Sequence, residues 1–69
     1  MIKRIINKRN NDWLLTIEYD EEKDRYYTFE FFIKKGLDNE EYNIEIMRAC
    51  SKTLEEAKSC ASNQFRAII

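Results

Sequence analysis

Three stretches of this chain alternate apolar and polar residues with a period of two, a pattern that suits β-strands covered on one face and little else. In Trp13-Leu14-Leu15-Thr16-Ile17-Glu18-Tyr19 the odd positions Trp13, Leu15, Ile17 and Tyr19 are the apolar set. From Arg25 to Ile33 the odd positions Tyr27, Phe29, Phe31 and Ile33 are again the stronger set. From Tyr42 to Arg48 the set is Tyr42, Ile44 and Ile46. Read this way, a slip of one residue would bury Glu18, Glu30 and Glu45, so the covered face is strongly specified.

The connections between these strands are short and polar, which favours antiparallel neighbours over parallel crossovers. Asp20 to Asp24 joins the first pair, and Lys34 to Glu41 joins the second. The second holds the single glycine, Gly36, expected where φ must be positive. At the N-terminus Ile2, Ile5 and Ile6 fit one helical turn. The β-branched pair Ile5-Ile6, followed by the turn-like Lys8-Arg9-Asn10-Asn11-Asp12, also fits a first strand, and we take the strand reading.

The period changes after residue 52. Thr53-Leu54-Glu55-Glu56 has the form of a capping box, with both glutamates at the positive end of the helix dipole. Leu54, Ala57, Ala61, Phe65 and Ile68 then recur along one stripe, at about 100° per residue, as in an amphipathic helix lying on a sheet. The alanines permit close approach, Phe65 is the expected anchor, and Lys58 at the stripe's edge must snorkel. The expectation is an α+β fold forming a single domain over residues 1–69. It comprises a three- to four-stranded antiparallel β-meander with one C-terminal amphipathic α-helix packed on one face.

At 69 residues the chain must use nearly all its large apolar side chains to offset chain entropy, and four Phe, four Tyr and one Trp supply them. Twelve basic residues against thirteen acidic ones leave no global field to hold a polyanion or an anionic membrane. No apolar run approaches the roughly 20 residues of a membrane span, and residues 1–8 have no apolar core of signal-peptide length. A cytoplasmic protein is expected, with no membrane partner. Cys50 and Cys60 are too few for a disulfide framework and are expected as reduced, largely buried thiols.

Catalytic signatures are missing. There is no histidine to act as a base near neutral pH, and Ser51, Ser59 and Ser62 have no evident activator. The acidic run Asp20 to Asp24 lacks the glycine, spacing and closing glutamate of a calcium loop. No enzyme activity, cofactor or metal is expected. The basic cluster Lys3, Arg4, Lys8 and Arg9 carries four positive charges before Asp12 and is the candidate nucleic-acid contact. Such a run at a terminus is more often simply a solvated end.

The face expected to point away from the helix carries Leu14, Tyr26, Phe32 and Met47 beside Glu30 and Glu45. An apolar group of this kind exceeds what a merely solvated face requires, and it suits an interaction surface.

From Trp13-Leu14-Leu15-Thr16-Ile17-Glu18-Tyr19-Asp20 through the charged hairpin and aromatic strand to Lys52-Thr53-Leu54-Glu55-Glu56-Ala57-Lys58, the chain resembles small phage and mobile-element accessory proteins. The likeness is to their strand-strand-strand-helix plan, which the arm-type DNA-binding domains of phage integrases share. Glu18, Glu30 and Glu45 stand where a DNA-reading sheet would carry bases. What the resemblance implies is a protein that binds a host protein, for instance as an inhibitor of a defence or toxin system. The expected function is a non-enzymatic protein-binding module using Leu14, Tyr26, Glu30, Phe32, Glu45 and Met47. The alternative is a nucleic-acid binder led by Lys3, Arg4, Lys8 and Arg9. A homodimer through an edge strand or the second sheet face is compatible with either.

Overall fold

A computed structural model of the chain describes the backbone of residues 1–69 and every side chain except those of Met47 and Arg48. Alternation at the N-terminus resolves as strand, giving β1 (Ile2–Asn10), β2 (Trp13–Asp20), β3 (Arg25–Lys35) and β4 (Glu41–Ser51), then α1 (Leu54–Ser59) and α2 (Asn63–Arg66). The strands pair antiparallel in chain order. This is the expected α+β meander in its four-stranded form, with the helical segment on one face.

Each hairpin turns on a residue at positive φ, and none of the three is the glycine. Asn11 (φ 55°), Asp24 (φ 50°) and Asn39 (φ 65°) take these positions, while Gly36 has no positive φ. Asn and Asp tolerate the left-handed region because their short polar side chains can bond locally. In the third hairpin the Gly36 N–H donates to the Glu40 carbonyl at 2.9 Å and the Asn39 N–H to the Gly36 carbonyl at 3.1 Å.

The faces of β3 are the reverse of those expected. Asp20 pairs with Arg25 across a turn of four residues, so Trp13 meets Phe32, Leu15 meets Glu30 and Ile17 meets Thr28. Paired residues in a sheet share a face, so the odd positions of β2 lie with the even positions of β3. Two hydrogen bonds identify this as the helix side: the Thr28 hydroxyl donates to the Ala57 carbonyl at 2.9 Å, and Glu30 accepts from Ser62. Tyr26, Glu30 and Phe32 therefore face the helices, and Tyr27, Phe29, Phe31 and Ile33 face away.

The expected single helix is two. Propensity does not explain the break at Cys60-Ala61-Ser62, since alanine is the strongest helix former; Ser62 is the N-cap residue of α2. Its N–H donates to Glu30 Oε2 at 3.0 Å and its hydroxyl to Oε1 at 2.6 Å. Glu30 is only 1% exposed, so a continuous helix, which would turn that N–H back into its own backbone ladder, would leave the carboxylate short of a donor. At the start of α1, Thr53 caps as expected, its hydroxyl oxygen accepting from the Glu56 N–H at 3.1 Å.

The core is small. Leu15, Ala61 and Phe65 are buried together, with Ile6, Trp13 and Ile69 packed around them. Ala57 and Ile17 are also buried, and the alanines bring the helices close to the sheet as expected. Ile68, expected on the buried stripe, is exposed, and Ile69 packs in its place because the break at residues 60–62 rotates the last turn.

Candidate functional site

The face turned away from the helices carries an aromatic ladder along β3. Tyr27 and Phe29 stack at 6.5 Å between ring centroids, and Phe29 and Phe31 at 6.1 Å, with interplanar angles of 27° and 19°. The alternation of β3 aims these three rings to one side, and the neighbouring strands supply Leu14 and Thr16 beside them. All three rings are half-buried, and among the described residues neither helix lies on their side of the sheet.

The outer strands curl around this ladder. β1 steps past Ile5 and β4 past Ile46 in their pairing registers, and such bulges bend and twist the strands that carry them. The result is a shallow depression of about 320 Å³ with Leu14, Thr16, Phe29 and Phe31 in its floor. Arg4, Asn7 and Glu18 line one side, and Asn43 and Glu45 the other. At one end Arg9 on β1 reaches Glu41 on β4, 3.8 Å between Nη2 and Oε1, while its Nε donates to the Asn11 carbonyl at 3.0 Å. The depression thus has an apolar floor and a rim of mixed charge.

Of the residues expected on this surface, Leu14 and Glu45 are here. Tyr26, Glu30 and Phe32 are on the opposite side, where Phe32 meets Trp13 edge-on at 5.7 Å and Glu30 holds Ser62. The Met47 side chain lies outside the described residues. Tyr27, Phe29 and Phe31 were missed as surface residues because they are the more apolar alternate set of β3. The signal that could have found them is the parity of the β2–β3 turn.

The four cations of β1 do not converge on one groove. Register places Arg4 and Arg9 on the open face, whereas Lys3 and Lys8 share the helix side with Tyr19 and Leu15. Three of them meet carboxylates: Lys3 with Glu21 at 2.6 Å, Arg4 with Glu18 at 3.7 Å and Arg9 with Glu41 at 3.8 Å. The Lys3–Glu21 hydrogen bond, reinforced by their opposite charges, raises the Lys3 ammonium above its ordinary pKa and lowers the Glu21 carboxyl below its own. The hairpin pairing that makes β1 a strand thereby brings Lys3 to Glu21 of the β2–β3 turn and Arg4 to Glu18 of β2.

A second apolar group lies on the helix side of β4. Tyr42 and Ile44 pair with Lys34 and Phe32, but α1 and α2 do not extend over them, and they stay 50% and 44% exposed. These positions were expected to be covered. The thiols separate to opposite faces: Cys50, paired with Tyr27, is exposed on the open face, and Cys60 lies 4.0 Å from Ser51 beneath the helices. Both are free thiols, and Cys50 is not buried as expected.

Among the described residues no group of three or more His, Cys, Asp or Glu could hold a metal ion. No described helix is long and apolar enough to cross a membrane. No protein-family model, curated protein or solved structure matches this chain.

Proposed function

We propose that this chain is a non-enzymatic protein-binding module whose docking surface is the open face of the sheet. The observation that carries this reading is the ladder Tyr27-Phe29-Phe31, three half-buried stacked aromatic rings whose side of the sheet lies opposite the helices and whose last two rings floor a depression. In a chain this small, aromatic surface withheld from the core forgoes stability, and aromatic residues in concave, desolvable positions are the type that anchors interfaces. Arg4, Glu18 and Glu45 at the rim would set orientation and partner choice more than affinity. The resemblance of the sequence to small phage accessory proteins would suit a module that occupies a surface of a host protein, as an inhibitor of a defence or toxin system does.

The test is capture of a partner from a host lysate, with and without nuclease, by the wild type, Phe29→Ala and Phe31→Ala. Loss of an aromatic anchor of this kind costs about 2 kcal/mol or more, roughly a 30-fold loss of affinity. The expected result is nuclease-resistant capture that either substitution abolishes while circular dichroism stays native. Capture unchanged by both would refute the docking face. Capture that disappears with nuclease and falls steeply with salt would transfer the function to nucleic acid.

A further inference from the structure

The meander leaves two strands with one free side each, β1 and β4, nine and eleven residues long. Free edges of this length are templates for another strand. They differ in charge: β1 carries Lys3, Arg4, Lys8 and Arg9 without an acid, and the first half of β4 carries Glu41 and Glu45 with Glu40 beside it, its one base being Arg48 further along. Pairing β1 with β1, or β4 with β4, sets like charges against each other, which is destabilising in cross-strand positions.

We propose that the occupant of the β4 edge is a second copy of this chain, adding its β1 antiparallel so that the meander continues from one molecule into the next. Anchored on Ile44 opposite Ile6 of the second copy, the two strands match rung by rung. Both isoleucines lie on the helix side of their own sheets, as register with Phe32 and Ile17 shows. One step along, Asn43 meets Asn7 on the open face. The next step sets the Tyr42 ring by the Lys8 ammonium on the helix side. In the other direction β1 steps past Ile5, so Glu45 meets Arg4 on the open face and not Ile5. The bulge is what makes this last match. The rungs are thus an apolar pair, an amide pair, a cation against an aromatic ring, and an opposite-charge pair, each a favourable cross-strand combination.

Ile44 and Ile46 on β4, and Ile2 and Ile5 on β1, are all exposed in the single chain, so the contact would cover apolar surface on both edges. The pairing joins two different surfaces, so each added copy presents a new β4 edge, and the assembly grows as an open filament unless its rotation closes it into a ring. It leaves the floor residues Leu14, Thr16, Phe29 and Phe31 of the open face uncovered and takes up only Arg4 and Glu45 of its rim.

Sedimentation and light scattering of the full chain from micromolar to millimolar concentration test this directly. The average mass should rise past that of a dimer with concentration, and the association should weaken in high salt. The paired substitution Arg4→Glu with Lys8→Glu blocks β1, and Ile44→Asp blocks β4, with Tyr42→Asp in its place if Ile44→Asp loses the native circular dichroism. Each should weaken association roughly tenfold or more: the β1 variant reverses the charge contact with Glu45 and removes the cation from the Tyr42 ring, and Ile44→Asp sets a charge into the apolar rung. An equimolar mixture of the two should form a one-to-one complex that does not grow, because it holds one native β1 and one native β4 edge. A wild type that stays monomeric throughout overturns the proposal. So does a β1-blocked variant that still self-associates, or a mixture that forms no complex.

Discussion

Replacing Ser62 with alanine removes the hydroxyl that donates to Glu30 Oε1 at 2.6 Å and leaves the Ser62 N–H to Oε2 bond at 3.0 Å in place. Glu30 is 1% exposed, so water cannot readily substitute for the lost donor. A hydrogen bond to a charged group contributes roughly 1.5–3 kcal/mol net, so about 2 kcal/mol should be lost. A domain of this size has roughly 3–5 kcal/mol in all, which makes the loss close to half. With a urea slope of about 1 kcal/mol per molar, the midpoint should fall by about 2 M. The thermal midpoint should fall by roughly 8–16 °C. The single tryptophan, Trp13, packs against the buried cluster beneath the helices and reports the transition by fluorescence. Ser59→Ala is the control: its hydroxyl bonds the Glu56 carbonyl at the exposed end of α1, so its effect should stay within about 0.5 kcal/mol. A double-mutant cycle with Glu30→Gln should show a coupling of about 1 kcal/mol or more. A Ser62→Ala loss below about 0.5 kcal/mol, or one that is the same in the Glu30→Gln background, would refute the view that this contact seats the two helices on the sheet.

Three further outcomes follow from the same geometry. Thr28→Val keeps the shape of a fully buried side chain but deletes its hydrogen bond to the Ala57 carbonyl, and should cost about 1 kcal/mol in a denaturant melt. The Tyr19 hydroxyl donates to Asp24 at 2.6 Å, and this bond, with desolvation and the Asp24 charge adding to it, pushes the phenol pKa up to about 12. A raised pKa stabilises the fold below the ordinary tyrosine pKa of about 10 and is lost as pH climbs through about 12; ultraviolet titration should show one late tyrosine that Asp24→Ala returns towards its ordinary value. Asn39→Ala, at φ 65°, should destabilise by about 1 kcal/mol in thermal melts, whereas Asn39→Gly should be within a few tenths of the wild type or better.

The strands were legible because their side-chain alternation is local, and so was the start of α1, where Thr53 makes its cap without help from the rest of the chain. The break between the helices was not, because its cause is Glu30, 32 residues away from Ser62 along the chain. The uncovered end of β4 was equally out of reach, since it depends on how far the shortened helices extend.

By itself, the sequence determined an antiparallel meander of three to four strands with helical cover and a layer of aromatic residues, because period, turn chemistry and capping act over a few residues. Which side of β3 meets the helices was decided only in the tertiary structure. Both alternate sets of that strand hold aromatics, Tyr26 and Phe32 on one side and Tyr27, Phe29 and Phe31 on the other. Hydrophobicity favours the second set for burial. The four-residue turn between Asp20 and Arg25 and the Glu30–Ser62 contact choose the first. An even number of turn residues sets odd positions of one strand against even positions of the next, and a single residue more or less in the turn would have exchanged the core with the open face.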